Sequence, residues 1–401
     1  MSRTLLDLTH TSHTRARTGI QRVCRSLHTA LAAQGDGVQA VCFDPYERRW
    51  RCLRSWERRN LAASRDTAAG TRGARWPLGA RLSGWLRRWV APVPPPGLRS
   101  ADLAGGLIVP ELFSPQVGRA LPALLAGTAG PRIAVFHDAI PMRLPEFSPP
   151  RSVARFPGYL QELLAFDGVA AVSDDSREAL VDYWRWLGAA APPPVITLAP
   201  GVEAPARSPF GHISAPGAPP VVLCIASLEG RKNHLALLDA CEGLWRRGRQ
   251  FELRLIGLAH PQTGRAALER IRALQGAGRP VRYDGPTDDD TVRAAYRDCA
   301  FTVYPSLMEG FGLPVLESLS QGRPCICAAH GPLGESARDG GCLKIERLDA
   351  AGIGEAVERL LTDPECLEVL TQAAARRTFR TWPAYARELT AWMRTLSRRG
   401  A

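Results

Sequence analysis

Residues 304–317 read YPSLMEGFGLPVLE, and their types are arranged for handling a sugar and a phosphate. A strand is expected to end at Tyr304, and a loop with Glu309, Gly310 and Gly312 follows. Pro314 suits the first turn of a helix, and Gly322 is placed to end it. The glycines let the backbone come close to a ligand, and a helix N-terminus offers N–H groups to a phosphate. Glu309 and Glu317 flank that loop, so one could take sugar hydroxyls and the other a ribose. The plainer alternative is a tight turn in which Glu317 only complements the helix dipole. Residues 224–234, CIASLEGRKNH, form the second segment: a strand end, a short loop with Gly230, Arg231 and Lys232, and a helix start near Asn233. Adjacent cations there make a diphosphate clamp or, more simply, a solvated basic turn. Only Lys232 and Lys344 are lysine among 51 basic residues. In so arginine-rich a chain, a retained lysine points to a site that needs an ammonium.

Other nucleotide and catalytic signatures are missing. No G-x-G-x-x-G follows a strand, there is no G-x-x-x-x-G-K-[ST], and no G-x-S-x-G appears, so dinucleotide dehydrogenases, P-loop enzymes and serine hydrolases are set aside. Asp288, Asp289 and Asp290 could bind a metal, but they open a helix, and capping is the better account. Asp174 and Asp175 open another. The ten cysteines include no C-x-x-C, and several, such as Cys224, sit within apolar strands as small core residues.

The elements that must hold these segments alternate. In the second half, strand-like runs at 221–226, 251–257, 281–284, 301–304, 324–328 and 342–345 enclose helical stretches near 233–247, 263–275, 288–299, 314–321 and 349–361. The first half repeats this more loosely: strands at 4–8, 38–43, 106–109, 133–136, 169–172 and 195–198, with helices at 19–33, 117–126, 157–165 and 175–187. Such alternation means βαβ units and parallel sheets. Residues 199–220 are rich in Pro, Gly, Ala and Ser, which suits a connection between domains. The expectation is two doubly wound α/β domains, 1–204 and 205–380, followed by a helix at 383–398 within a C-terminal segment, 381–401, that packs back toward the first domain. Ligands of such domains bind at the carboxyl ends of the strands, here in a cleft between them.

Together, E-G-F-G-L-P-x-L-E and the preceding S-L-E-x-R-K-N resemble the retaining GT-B glycosyltransferases of the large family that includes bacterial O-antigen and capsule mannosyltransferases. Thr18-Gly19-Ile20-Gln21-Arg22 resembles that family's glycine loop, and Phe136-His137-Asp138-Ala139-Ile140-Pro141 its H-D-x-x-P segment. The resemblance covers 195–380, extends more loosely over 1–45 and 105–195, and does not reach 45–100. It implies two Rossmann-like domains facing across a cleft, a nucleotide-sugar donor held mainly by the second, and a glycan or lipid-linked acceptor held mainly by the first. By this resemblance Arg231 and Lys232, beside Gly230, neutralise the leaving diphosphate. Glu309 binds donor-sugar hydroxyls, amides near Phe311, Gly312 and Leu313 touch sugar and phosphate, and Glu317 holds the ribose. His137 approaches the sugar from the first domain, and Gly19 lets the first loop pass close to donor or acceptor; taken alone, they are a packed strand-end histidine and a helix-start glycine. The resemblance also implies a hexose, mannose favoured, transferred with retention, with no metal and no cofactor beyond the nucleotide-diphosphate sugar as co-substrate.

Charge adds a last feature. The net charge is +12, and residues 47–100 hold 13 Arg against three acids, with Trp50, Trp56, Trp76, Trp85 and Trp89. Leu82, Trp85, Leu86 and Trp89 recur on one helical face, with Arg81, Arg87 and Arg88 off it. This 45–100 insertion is expected either to dock on an anionic membrane surface or to pack as an ordinary insertion; without a nucleic-acid motif, no nucleic-acid partner is expected. No run approaches the roughly 18 apolar residues of a membrane span, and the first residues lack a basic-then-apolar leader pattern. A cytoplasmic location is therefore expected, with a place on the inner membrane face if the insertion docks. Two alternatives remain: a nucleotide-sugar epimerase or sugar phosphorylase of the same fold, and a non-catalytic polyanion binder. The intact E-G-F-G and R-K segments argue against the second, because charge binding needs neither.

Overall fold

The computed structural model describes residues 3–14, 19–35, 37–62, 76–90, 97–203 and 218–399. Seven strands lie in the first half: β1 (Thr4–Asp7), β2 (Val38–Asp44), β3 (Arg49–Cys52), β4 (Leu107–Val109), β5 (Arg132–Phe136), β6 (Gly168–Ala171) and β7 (Val195–Thr197). They form one sheet in the order β3-β2-β1-β4-β5-β6-β7, parallel except for β3. Six follow in the second half: β8 (Val221–Ile225), β9 (Glu252–Ile256), β10 (Val281–Tyr283), β11 (Phe301–Tyr304), β12 (Cys325–Ala328) and β13 (Cys342–Ile345). Their order is β10-β9-β8-β11-β12-β13, all parallel. Leu107, Val109, Phe136 and Val169 are buried in the first core, and Val222, Leu253, Phe301 and Val303 in the second. Their neighbours on the opposite faces, Ile108, Val135, Leu223 and Thr302, are buried too, so both faces of each sheet are covered, as parallel sheets require. In each sheet the chain builds outward from one strand and then returns to its other side. The reversals fall between β1 and β4 and between β8 and β11, and ligands of doubly wound sheets bind at the carboxyl ends of such strand pairs.

One unit comprises Met1–Met142, Pro150–Gly201 and Arg380–Ala401; the other comprises Arg143–Pro149 and Val202–Phe379. The helix Trp382–Thr395, capped by Thr381, whose hydroxyl accepts from the Ala384 amide at 3.3 Å, lies in the first unit. Its Trp392 and the following Leu396 lie where a side chain at Gly168 would need space. The segment Arg143–Pro149 belongs to the second unit, although sequence order places it in the first. Most of the expected connection, residues 204–217, lies outside the described residues.

Three of the differences from expectation bear on packing and topology. The helix expected at 157–165 is Pro150–Glu162, with Pro157 inside it. Burial of Phe156, Tyr159 and Leu160 outweighs the hydrogen bond a proline removes. A helix at Pro364–Arg376 has no counterpart in the sequence reading; Asp363 caps it by accepting from the Cys366 amide at 2.9 Å. The third is β3, an antiparallel edge strand inside the arginine-rich insertion.

That insertion is divided in character. Arg51 on β3 donates to Asp44 Oδ2 at 3.0 Å and to both Glu57 oxygens at 2.8 and 2.7 Å, and Glu57 also meets His13 Nε2 at 2.9 Å. Trp50 is buried, and its indole N–H donates to the Ala120 carbonyl at 3.1 Å. Trp76 stacks on His13 at 3.8 Å, with Trp56 edge-on to both. These three tryptophans are packed residues. The helices α1 (Gly19–Ala33) and α2 (Ser55–Ala62) precede a different element, α3 (Leu78–Val90). On α3, Gly84 is buried against Tyr46, whereas Leu78, Leu82, Trp85 and Leu86 are 71, 60, 54 and 53% exposed. The side chains of Arg87, Arg88 and Trp89 and the proline run at 92–96 lie outside the described residues. No helix among the described residues is long and apolar enough to cross a membrane.

Candidate active site

Beyond β8, Leu228 bridges to Ala259, and Gly230–Lys232 turn as a single 3-10 helix. Asn233 then adopts φ 58°, the left-handed region that asparagine tolerates better than most residues, and the helix His234–Arg246 begins. Its side-chain amide donates to the Leu348 carbonyl at 2.7 Å, which anchors the turn. Gly230 is required by packing: a Cβ there would lie 2.3 Å from the Phe147 ring. The Leu307 amide donates to the Arg231 carbonyl at 2.8 Å and ties this turn to the loop after β11.

That second loop ends at Gly312, with φ +89°, immediately before the helix Leu313–Ser320. A side chain at Gly312 would be strained by that φ and would meet Ser336 Oγ at 2.9 Å. Ser336 Oγ donates to the Phe311 carbonyl at 2.7 Å and fixes the turn from below. Phe311 and Leu313 are half-buried, as is Glu317 on the helix itself. The Leu313 amide sits at the helix N-terminus, the end that favours negative charge.

Glu309 joins the two loops. Its Oε2 accepts from Arg231 Nη1 at 3.0 Å and its Oε1 from the Lys232 ammonium. Arg231 Nη1 also donates to the Met308 carbonyl at 3.1 Å, and Arg231 Nε lies 3.3 Å from Glu229 Oε2. Ser227 Oγ in turn donates to Glu229 Oε1 at 2.8 Å. Lys232 and Glu309 are both buried. Burial alone would raise the Glu309 carboxyl, but the charges of Lys232 and then Arg231 hold it at about 2. Burial is also the largest influence on Lys232 and lowers its ammonium, with Glu309 opposing. Two cations and two carboxylates thus balance at the carboxyl ends of β8 and β11.

All the second-half residues singled out in the sequence, Gly230, Arg231, Lys232, Glu309, Phe311, Gly312, Leu313 and Glu317, lie on these two loops and the helix after them. The sequence reading missed Glu229, Phe147 and the direct pairing of Glu309 with both cations. A glutamate preceding G-R-K is a weak signal, and Phe147 had none, because it comes from a distant part of the chain. Asp288 caps its helix, with Oδ1 accepting from the Thr291 amide at 2.8 Å. Asp174 and Asp175 occupy the first turn of a helix whose N-cap is Ser173.

The first unit carries a different set at its own strand reversal. Asp7 ends β1, and Glu111 follows β4. Glu111 accepts from the His10 and Thr11 amides, each at 2.7 Å, and Asp7 Oδ1 from the Thr9 amide at 3.0 Å and its hydroxyl at 2.6 Å. Burial pushes Asp7 up to about 6; burial and then the Asp7 charge push Glu111 up to about 8. Neither residue was singled out in the sequence, where each is a lone acid. His137, past β5, is buried, and its Nε2 donates to the Pro110 carbonyl at 2.7 Å. Burial lowers its imidazole against the pull of that bond and of Asp138. Gly19 opens α1 with nothing within 4 Å of a Cβ placed there, so internal packing gives no reason for a glycine. Residues 15–18 of its loop, Thr18 among them, lie outside the described residues.

Residues 210–377 match the family described as Glycosyl transferases group 1. The serotype-specific mannosyltransferase WbdA of Escherichia coli is 25% identical over 343 residues, covering 80% of this chain and 38% of WbdA. The chain thus spans under half the length of that curated relative. Among solved structures, sucrose-phosphate synthase of Thermosynechococcus elongatus superposes with a TM-score of 0.69 at 19% identity, over 98% of this chain and 99% of the other. Anabaena HepE, solved in complex with UDP and glucose, gives 0.65 at 13% identity, over 99% and 100%. Two parallel Rossmann-like sheets with these likenesses make the fold GT-B.

Proposed function

From a GT-B fold and the match of residues 210–377 to group 1 glycosyltransferases, we propose a retaining transferase that moves a hexose from a nucleotide-diphosphate sugar to a glycan or lipid-linked acceptor. The observation that carries this reading is the meeting of Arg231, Lys232 and Glu309 at the strand reversal of the second unit, beside the Gly312 turn. A donor diphosphate brings two or more negative charges to that point. It competes with Glu309 for Lys232 and Arg231, and the displaced carboxylate is then free to accept hydrogen bonds from sugar hydroxyls. One rearrangement thus gives both roles their partners. The Leu313 amide adds a donor at the helix end, and Glu317 takes the ribose.

The chemistry follows from charge. As the bond from sugar C1 to the phosphate oxygen breaks, negative charge grows on the diphosphate and positive charge on the sugar ring. Preorganised cations in a buried setting favour that separation without first reorganising water. The acceptor oxygen then bonds to C1 on the face the diphosphate leaves, and its proton passes to a leaving phosphate oxygen. No protein nucleophile takes part. With Arg231 and Lys232 balancing the diphosphate, transfer is expected to continue in excess chelator. Asp7 and Glu111, with His137 and Gly19 nearby in sequence order along the strand ends, give the first unit a less cationic character suited to an acceptor's hydroxyls.

Mannose, carried as GDP-mannose, is the preferred donor on the likeness to WbdA, and surface polysaccharide such as lipopolysaccharide the preferred product. A lipid-linked acceptor fits α3, whose exposed Leu78, Leu82, Trp85 and Leu86 form an apolar stripe within an arginine-rich segment. That stripe is proposed to rest on the anionic inner face of the cytoplasmic membrane. The deciding experiment incubates the protein with a panel of nucleotide sugars and reads hydrolysis and protection against thermal unfolding. GDP-mannose should give the largest response. A larger response to a UDP-sugar would replace the donor assignment, and no response to any would overturn the transferase reading. Co-sedimentation with anionic but not neutral vesicles, weakening with salt, tests the membrane contact.

A further inference from the structure

Three of the ten cysteines meet on one face of the second sheet. Cys325 and Cys327 alternate along β12, so both point the same way. Cys342 opens β13 in register with Cys325, which sends its side chain to that face too. The three sulfur atoms lie within 4.8 Å of one another. Cys325 and Cys327 are buried, and Cys342 is half-buried at the edge. The setting is apolar, formed by Tyr304, Val315, Leu319, Leu333 and Ala374. Packing alone would be served by alanine or valine at these places, and nothing in an apolar core requires three thiols to converge.

The spacing suits a single soft ion. At metal–sulfur distances of about 2.3 Å, three thiolates around one ion stand about 4 Å apart, so these sulfurs need to close in by less than about 1 Å. Among the described residues no histidine or carboxylate joins the group, so a hard, oxygen-seeking cation finds no ligand here. A second group, His13, Cys42 and Glu57, is of another kind, because Glu57 and His13 are already committed to Arg51 and to each other.

We propose that Cys325, Cys327 and Cys342 form a three-thiolate site for a soft, thiophilic cation, separate from sugar transfer. Binding exchanges thiol protons for metal–sulfur bonds, so protons are released and no electrons move. The ion would clasp β12 to β13 beneath the helix Leu313–Ser320, whose Leu319 is part of the same cluster. Gly341, with φ +79°, lies so close under that helix that a Cβ would come 2.6 Å from Leu319 Cδ2. Loading should therefore stiffen the support of the Gly312 turn and raise the thermal unfolding midpoint.

The test uses the full chain under nitrogen with a non-thiol reductant and cadmium as the probe. Ultraviolet thiolate-to-metal absorption is followed during titration, together with proton release. One cadmium per chain with the intensity of three thiolates is expected. Cys342→Ser and Cys327→Ser should each weaken binding by roughly 100-fold, while Cys366→Ser, outside the group, should leave it unchanged. Circular dichroism checks that each variant folds. The wild-type intensity decides the matter even where a variant does not fold, because a band worth one or two thiolates, or none, overturns the proposal. So does undiminished binding in folded Cys342→Ser or Cys327→Ser.

Discussion

The two sheets reverse strand order at equivalent places, yet the side chains gathered there follow opposite electrostatic rules. Past β8 and β11, Glu309 is buried against Lys232 and Arg231 and is held at about 2. Past β1 and β4, Glu111 and Asp7 are buried with backbone amides and a hydroxyl as hydrogen-bond donors, and they are pushed up to about 8 and about 6. Topology fixes where a ligand can enter; the partners of a buried carboxylate fix which ligand is welcome. Cations paired with a buried carboxylate, the proposed partners of a diphosphate, mark the second sheet. Carboxyls raised by burial mark the first, with Glu111 keeping its proton near neutrality.

The most direct way to break this contrast is to remove the ammonium. Lys232→Ala should lower turnover by about 10²–10³-fold, the scale for loss of one transition-state charge partner. Arg231 still pairs with Glu309 in that variant, so the fold should survive, as thermal unfolding can verify. Near-normal turnover at saturating donor would show that the second sheet does not stabilise the leaving group through this residue.

Separating the two glutamates sharpens the same point. Glu309→Gln should reduce transfer about 100-fold while a nucleoside diphosphate still binds, because the cations remain and only the sugar contact is lost. Glu317→Gln should instead weaken the diphosphate itself, by about 10-fold, on the scale of one hydrogen bond to a charged group. Calorimetry with the diphosphate alone distinguishes them, and equal losses in both variants would contradict the division.

Much of this was legible in the sequence because it is local. Period and punctuation place β8, β11 and the helices after them, and E-G-F-G and R-K-N mark the two loops that meet through Glu309, Arg231 and Lys232. What was hidden is contact across the chain. Glu309 and Lys232 were expected to act side by side; only the adjacency of β8 and β11 shows that each is the other's partner. Asp7 and Glu111 are separated by about a hundred residues of sequence, and Phe147 meets Gly230 from a remote part of the chain. The insertion was ambiguous for another reason: tryptophan suits both a core and an exposed surface, and here Trp50 is buried whereas Trp85 is exposed. Cys325 and Cys327 form a visible C-x-C, but their third partner depends on strand register.

The pH dependence of stability tests the first sheet. Glu111 has its folded-state value raised from 4.5 to about 8, so the folded protein binds a proton that the unfolded chain has released. Its contribution is fully present below about pH 4.5 and is lost as the pH rises toward 8. Glu309 has the reverse sign: its contribution is present above about 4.5 and is lost as the pH falls toward 2. The lowered His10, His28, His137 and His234 act in the opposite sense at the acid end of the range, so the comparison is what decides: as the pH rises from 5 to 8, the unfolding midpoint of the wild type should fall relative to that of Glu111→Gln. Parallel curves would mean that the first sheet holds its carboxylates much as the second does, and the contrast would fail.

The smallest effect concerns the turn that aims Lys232. Asn233 holds φ 58° and donates its side-chain amide to Leu348 O. Replacement by glycine or by alanine removes that hydrogen bond equally, so the difference between the two variants isolates the backbone. Alanine is strained in the left-handed region by about 1–2 kcal/mol, whereas glycine is not. Glycine gives part of that advantage back through a more mobile unfolded chain, roughly 0.5–1 kcal/mol. Asn233→Ala should thus be the less stable of the two, by about 1 kcal/mol in denaturant unfolding. If the turn also sets the reach of the ammonium, Asn233→Ala should lose more turnover than Asn233→Gly at saturating donor. Equal stabilities would show that the helix His234–Arg246 can start without the left-handed residue, and Lys232 would then owe its position to Glu309 alone.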